Sequence, residues 1–338
     1  MIKKFDDINI IAEVGTAHEG SFALACSYIY SAKKSGADAV KFQTHISYAE
    51  SSKFDQFRVK SRFIDDKSRK KFWDRTSFTL TQYHKLKNLT ERLGMFFLSS
   101  PFSMQAVDLL QTIKIKAWKI GSGELTNLPL IDKVAKTNKP MIISTGLSDI
   151  NEIKETIKII KKYHSKIVIM QCTSLYPCPD EKIGFNVIND LKKIFPYKIG
   201  FSDHSGDPAV PLAAYSIGSE ILEVHVTFDK DIKTFDSSSS LNFKELKFLS
   251  DSVKKISKIK NSNVDKFKIP NYLKKNKILF EKGIYLKNNM QKGDKVQISN
   301  LEFKKPMIGI HSKKYKKILG KKIKKNLHKG TFLKESDF

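Results

Sequence analysis

Between residues 8 and 260 the chain alternates eight times between a short apolar run and a longer stretch whose apolar residues recur every three or four positions. The first pattern fits buried β-strands and the second amphipathic helices. The expected strands are 8–15, 39–45, 95–101, 117–123, 140–146, 166–174, 197–204 and 221–229. The expected helices are 22–35, 79–93, 103–113, 128–137, 149–163, 187–195, 209–217 and 242–259. Asp149, with Glu152 three positions on, reads as a helix start, and Gly94 and Gly218 read as helix ends. Eight βα units over roughly 250 residues match an α/β fold of the (β/α)8 TIM-barrel type, closed by parallel strands with right-handed crossovers.

The 338-residue chain divides accordingly. Residues 1–260 make the barrel and 261–278 read as a linker. Residues 279–338 read as a small β-rich module, with β-like runs at 283–286, 295–298, 301–303 and 330–333. One connection, 46–77, is rich in Lys and Arg and too long for an ordinary βα loop. Following the second strand, it would hang over the mouth of the barrel, either supplying substrate contacts or standing as an ordinary surface insertion.

No run approaches the length of about 20 apolar residues needed to cross a bilayer, and the first residues lack signal-peptide character. A cytoplasmic protein that does not bind membranes is expected. The three cysteines, Cys26, Cys172 and Cys178, form no Cys-x-x-Cys pair, which fits a reducing compartment. The net charge of +26 is concentrated toward the end, where residues 279–338 hold 16 lysines and no arginine against five acids. Those lysines are scattered among Ile, Leu and Gly, with no recognised nucleic-acid motif, so a solvated surface is expected rather than nucleic-acid binding.

In a barrel every second strand residue faces the interior. In Ala39-Val40-Lys41-Phe42-Gln43-Thr44-His45, outward residues must pack on helices, so Lys41, Gln43 and His45 are expected to face inward. The same alternation turns Lys119 inward between Trp118 and Ile120. With Ser99, Ser100 and the Ser144-Thr145-Gly146 turn, the two lysines make a ring of cations and hydroxyls suited to phosphate or carboxylate. Two buried lysines require an anionic ligand or acidic partners, for which Glu13 and Glu124 are the expected candidates. His204 and His225 close adjacent strands at the same edge. Two neutral imidazoles there can hold a divalent metal while leaving positions open for substrate oxygens. Glu13, near the end of the first strand, is the carboxylate placed for acid/base work.

The chain resembles the sialic acid (N-acetylneuraminate) synthase family. The resemblance runs through Ile10-Ile11-Ala12-Glu13-Val14-Gly15, His18-Glu19-Gly20, Ala37-Asp38-Ala39-Val40-Lys41-Phe42-Gln43-Thr44, Ser99-Ser100-Pro101-Phe102-Ser103, Trp118-Lys119-Ile120-Gly121-Ser122-Gly123-Glu124, Ser144-Thr145-Gly146, Cys172-Thr173-Ser174-Leu175-Tyr176-Pro177, Ser202-Asp203-His204 and His225-Val226-Thr227. It implies a (β/α)8 barrel followed by an antifreeze-like SAF domain, in a domain-swapped homodimer. It implies condensation of phosphoenolpyruvate with N-acetylmannosamine or a related amino sugar to give a sialic-type acid. By the resemblance, phosphoenolpyruvate contacts fall on Lys41, Ser100, Lys119, Ser122, Ser144 and Ser202, and sugar contacts on Gln43, Tyr176 and Asp236. Glu13 and Glu124 match acidic positions near the reacting carbons. The metal ligands are His204 and His225, with Mn²⁺ the first expectation and Mg²⁺ the second.

The sequence departs from the family where the sugar binds. Ala17 stands in place of the usual Asn, and Thr234-Phe235-Asp236-Ser237 in place of Gly-Pro-Asp-His. Lys305 replaces an arginine that meets the sugar acyl group and so lacks its planar fork. These departures leave the phosphoenolpyruvate end intact and the sugar open, whether a sialic, legionaminic or pseudaminic acid precursor. The alternatives are another phosphoenolpyruvate-dependent 3-deoxy-sugar-acid aldol synthase, a nucleic-acid-binding protein acting through the basic tail, and an inactive scaffold barrel.

Overall fold

The computed structural model describes residues 3–57, 65–164 and 166–338. These form two compact units, Met1–Lys260 and Asn261–Phe338. In the first, eight parallel strands alternate with helices: β1 (Ile10–Gly15), β2 (Ala39–Thr44), β3 (Phe96–Pro101), β4 (Trp118–Ile120), β5 (Met141–Ser144), β6 (Ile167–Cys172), β7 (Lys198–Asp203) and β8 (Leu222–Thr227). Their ladders run β3-β2-β1-β8-β7-β6-β5-β4, and β3 and β4 lie side by side at the remaining seam. A short ninth strand, β9 (Ser240–Asn242), adds to β8. This is the expected (β/α)8 barrel.

Strand parity sorts the core into two shells. Inward residues near the N-terminal ends, including Ile11, Ala39, Leu98, Ile142, Val168 and Met170, form a dry plug inside the barrel. Their outward neighbours Ala12, Val40, Phe97, Ile143, Ile169 and Val224 pack in a larger cluster with the helices. Above the plug the inward positions turn polar, and there the site begins.

The helix signals correspond to observed caps. Asp149 Oδ1 accepts from the backbone N–H groups of Asn151 and Glu152, and Glu152 Oε2 accepts from the Asp149 N–H. This reciprocal cap opens the helix Ile150–Ile160 and contributes on the order of 1 kcal/mol. Gly94 and Gly218 take φ of +78° and +114°, the left-handed turn that glycine permits after a helix.

Two expectations are corrected. Part of the segment read as a linker is helical, Asn271–Phe280, with no buried residue; its scattered lysines hid the period. In the second unit only β10 (Gly283–Leu286) and β11 (Leu301–Lys304) pair as an antiparallel ladder. The runs 295–298 and 330–333 supply isolated bridges, Lys295 to Lys322 and Phe332 to Tyr285. Ile284, Leu286, Val296, Leu301, Ile323 and Leu333 are among the side chains of this unit's core.

Candidate active site

The C-terminal ends of the barrel strands surround a cavity of about 320 Å³. Its floor is a charged array. Lys41 Nζ lies 3.1 Å from Glu13 Oε2 and 3.3 Å from Glu223 Oε1, and Lys119 Nζ reaches that same Glu223 oxygen at 3.3 Å. Strand register builds the array, since Glu13 is the cross-strand partner of both Lys41 and His225. Burial alone would lower the Lys41 pKa, but the two carboxylates more than offset it and the net shift is upward. For Lys119 burial wins and the pKa is lowered, with Glu223 opposing and Lys41 adding to the effect. Glu223, despite burial, is held at about 2 by Lys119 and Lys41. Of the two cations, Lys119 is the less compensated.

Small hydroxyls lie on and beside these charges. Lys119 Nζ donates to Ser144 Oγ at 2.7 Å, Lys41 Nζ to Ser100 Oγ at 3.4 Å, and Ser202 Oγ to Glu223 Oε1 at 3.3 Å. Ser122 Oγ accepts from the Gly146 N–H at 3.1 Å and lies 3.2 Å from Cys172 Sγ. A side chain at Gly146 would crowd these groups, since a Cβ would lie 2.6 Å from Ser174 Oγ and 2.7 Å from Cys172 Sγ and force them to shift.

His204 and His225 stand on the far wall, ring centroids 5.4 Å apart, with the Tyr176 ring 4.0 Å from His204. His204 Nδ1 lies 2.7 Å from the Thr173 carbonyl and must donate to it, which leaves Nε2 as a lone pair. Burial, with His225 beside it, lowers the His204 pKa to about 3, so the ring is neutral as a ligand requires. Asp236 Oδ2 is 3.7 Å from His225 Nδ1. Among the described residues no group of three or more His, Cys, Asp or Glu is arranged to hold a metal. The imidazoles thus form a two-nitrogen set, chemically suited to a divalent ion that takes its other ligands from substrate or water.

Of the residues singled out from sequence, Glu13, Lys41, Gln43, Ser100, Lys119, Ser122, Ser144, Tyr176, Ser202, His204, His225 and Asp236 all line this one cavity. Glu124 is not among the lining residues. It sits on a 3₁₀ turn, Ser122–Glu124, and accepts from Asn127 Nδ2 at 2.8 Å. The acidic partner expected at Glu124 is instead Glu223, which shares the inward face of Leu222–Thr227 with His225; the strand alternation that placed Lys41 would have found it. Lys305 lies in the second unit, its Nζ 5.4 Å from the centroid of the Phe280 ring.

The long connection contributes to the cavity wall. Its described residues Phe57, Arg69, Phe72 and Trp73 line the cavity with Phe102 and Phe235, while 58–64 lie outside the described residues. It also brings Glu50, at the end of the short helix Ser47–Glu50, against the inward His45. Glu50 Oε1 is 2.9 Å from His45 Nδ1, and His45 Nε2 is 3.0 Å from Gln43 Oε1. Gln43 Nε2 donates to Glu13 Oε1 at 2.8 Å. Gly15, beside this last bond, takes φ +55°, a backbone conformation that side chains rarely adopt.

Residues 28–265 match the model of the NeuB family, and residues 281–338 that of the SAF domain. The N,N'-diacetyllegionaminic acid synthase of Campylobacter jejuni is 33% identical over 332 residues, covering 96% of this chain and 98% of its own. The N-acetylneuraminate-9-phosphate synthase of Homo sapiens is 34% identical over 255 residues, covering 72% of this chain and 69% of its own. A solved N-acetylneuraminic acid synthetase from Leptospira borgpetersenii, in complex with citrate, superimposes with a TM-score of 0.68 at 28% identity, covering 80% of this chain and 90% of that one. With a family match across most of the barrel, and the inward lysines, histidines and serines gathered in one cavity, this chain belongs to the NeuB family and ends in an SAF domain.

Proposed function

We propose that this protein condenses phosphoenolpyruvate with the open-chain form of an N-acyl amino sugar, giving a nonulosonic acid and inorganic phosphate. The observation that carries the reading is the buried array around Lys119. An ammonium whose charge is only partly offset, bonded to Ser144 and facing a cavity, gains when a dianion enters. A barrel with no ligand to bind could extend its apolar plug upward instead.

Lys41, Lys119, Ser100, Ser122, Ser144 and Ser202 hold the phosphate and carboxylate of phosphoenolpyruvate. Gln43, Tyr176 and Asp236 face the sugar. C3 of the enol attacks the aldehyde carbon, forming the new C–C bond while the aldehyde oxygen takes up a proton. The cationic C2 is captured by water, whose proton passes to Glu13 and from there supplies the one taken up by the former aldehyde oxygen, while the remaining hydroxyl proton on C2 leaves with phosphate. The tetrahedral carbon then expels phosphate by C–O cleavage and becomes the keto group, so one water is consumed per turnover. His204 and His225 are the residues that would hold a divalent ion, Mn²⁺ before Mg²⁺, whose chemistry here is Lewis-acid polarisation of the aldehyde. Lys41 and Lys119 neutralise the anionic substrate before and during bond formation.

The same reading makes the chain a cytoplasmic, domain-swapped homodimer, with the SAF domain of one copy over the barrel of the other and Lys305 at the sugar acyl group. Among the described residues no helix is long and apolar enough to cross a membrane. The deciding experiment follows phosphate release from phosphoenolpyruvate with a panel of free and phosphorylated amino sugars, with product masses read by mass spectrometry. A product mass equal to sugar plus pyruvate is expected for at least one sugar. Phosphate release that is indifferent to the aldose would defeat the proposal.

A further inference from the structure

Glu50 and His45 are used by none of the chemistry above, yet they end the hydrogen-bonded chain Glu50–His45–Gln43–Glu13, whose last two members are, and its geometry constrains where the protons lie. Glu13 is ion-paired with Lys41 at 3.1 Å, so it is a carboxylate and can only accept. Gln43 must therefore turn its amide NH₂ toward Glu13 and its carbonyl oxygen toward His45. A carbonyl also only accepts, so His45 Nε2 carries hydrogen. An imidazolium would donate from Nδ1 as well, to a Glu50 carboxylate; in a neutral imidazole with that proton Nδ1 is an acceptor, and the group facing it, Glu50, donates.

We infer that Glu50 and His45 are positioning residues, a neutral carboxylic acid–imidazole pair that sets the Gln43 amide and through it aims the Glu13 carboxylate at the reacting carbons. The inference rests on the reading that Glu13 serves the condensation. The surroundings are built for a neutral pair. The His45 ring is stacked against Trp73 (3.6 Å, 9°) and Phe102 (4.3 Å, 16°), and the Glu50 side chain is only 8% exposed. Burial, with Arg69 adding to it, lowers the His45 pKa to about 3. Burial raises that of Glu50 to about 8, with Arg69 opposing and Asp55 reinforcing. The charged or titratable groups that act on or are acted on by Glu50 are His45, Arg69, Asp55, Glu124 and Tyr83.

The sign of the pH effect follows. Below pH 8 Glu50 keeps its proton and the chain runs as described. Once Glu50 ionises it can only accept, so His45 moves its proton to Nδ1 and presents a bare Nε2 to the Gln43 carbonyl. The amide turns over, and its oxygen then faces Glu13 and repels it. Turnover is lost as pH rises through the ionisation of Glu50.

Long-range ¹H–¹⁵N spectra of the full-length protein labelled at histidine nitrogens test the pair directly, with Glu50→Gln as the non-titrating mimic of the protonated acid. At pH 7 the Nε2–H tautomer of His45 is expected in both proteins, and above pH 8 only the wild type should shift to Nδ1–H. In turnover assays Glu50→Gln should lower kcat a few-fold and lose the alkaline limb, whereas Glu50→Ala should lower kcat by roughly 10-fold or more with little change in the KM for phosphoenolpyruvate. An imidazolium or an Nδ1–H tautomer at pH 7, or an unchanged alkaline limb in Glu50→Gln, would overturn the inference. If no sugar supports turnover the condensation reading fails, and the tautomer measurement still decides the pair on its own.

Discussion

Glu223 Oε1 lies 3.3 Å from Lys119 Nζ and equally far from Lys41 Nζ, so one carboxylate oxygen holds two buried ammonium groups in place. Replacing it, Glu223→Gln, leaves both cations short of charge and is expected to cost about 3 kcal/mol of stability. Phosphoenolpyruvate should recover part of that loss, giving a larger ligand-induced rise in Tm in the variant than in the wild type. The lysines hold Glu223 near 2, below its ordinary 4.5. Its contribution is present above pH 4.5 and lost as pH falls toward 2, so the variant should also show a flatter stability profile in that window. Urea titrations with and without ligand check both points; a variant as stable as the wild type would mean the array does not depend on Glu223.

His18 gives a second, independent pH effect. It is buried, its ring centroid 4.4 Å from that of Phe78, and its Nδ1 accepts from the Gly20 N–H at 3.1 Å. Burial lowers its pKa from 6.5 to about 3. Between those values the unfolded chain binds a proton that the folded one excludes, so stability falls as pH falls from 6.5 to 3. His18→Asn, which can still accept through Oδ1, should reduce that slope by about 1.4 kcal/mol per pH unit. Identical slopes in urea midpoints from pH 4 to 6 would contradict it.

Gly146 is the steric test of the phosphoenolpyruvate end. An alanine Cβ would meet Ser174, Cys172 and Ser122 at 2.6, 2.7 and 3.1 Å, displacing the Ser122 hydroxyl that the Gly146 N–H positions. Gly146→Ala should cost about 1–3 kcal/mol from overpacking and raise the KM for phosphoenolpyruvate far more than that for the sugar. Kinetics in both substrates decide this, and equal effects on the two KM values would place Ser122 away from phosphoenolpyruvate.

The imidazole pair predicts a metal effect visible without turnover. Mn²⁺ bound to the folded state alone should raise the wild-type Tm in a concentration-dependent manner, and His204→Ala should abolish the rise. Chelation should stop phosphate release, with Mn²⁺ restoring it to the wild type but not to the variant. Full activity after exhaustive chelation would remove the metal role from His204 and His225.

The barrel was legible in the sequence because its strands alternate between two environments with different demands, and Lys41, Gln43 and Lys119 betrayed the inward face by being polar among residues that must pack on helices. Glu223 obeys the same alternation but stands beside His225, the more conspicuous residue. Glu124 misled because it follows the strand, on a turn where parity no longer applies. Glu50 could not be paired with His45 from sequence, since a four-residue helix offers no period and the contact depends on how the long connection folds back. The helix Asn271–Phe280 escaped because nothing buries an apolar face of it and so no stripe was selected.

The division of the barrel interior into an apolar plug and a charged storey above it also constrains how such a site can evolve. With a rise of about 3.3 Å per residue and alternate side chains facing in, functional groups can be relocated along a strand only in steps of about 6.6 Å. Moving Lys41 by one position would send an ammonium into the shell where Phe42 packs; moving it by two would put it at Gln43 or down in the plug at Ala39. Depth in the site is thus quantised by the backbone, and adjustments finer than one step fall to side-chain length. Lysine, glutamate, glutamine and histidine, with their different reach, are the means by which this pocket tunes height without shifting a strand.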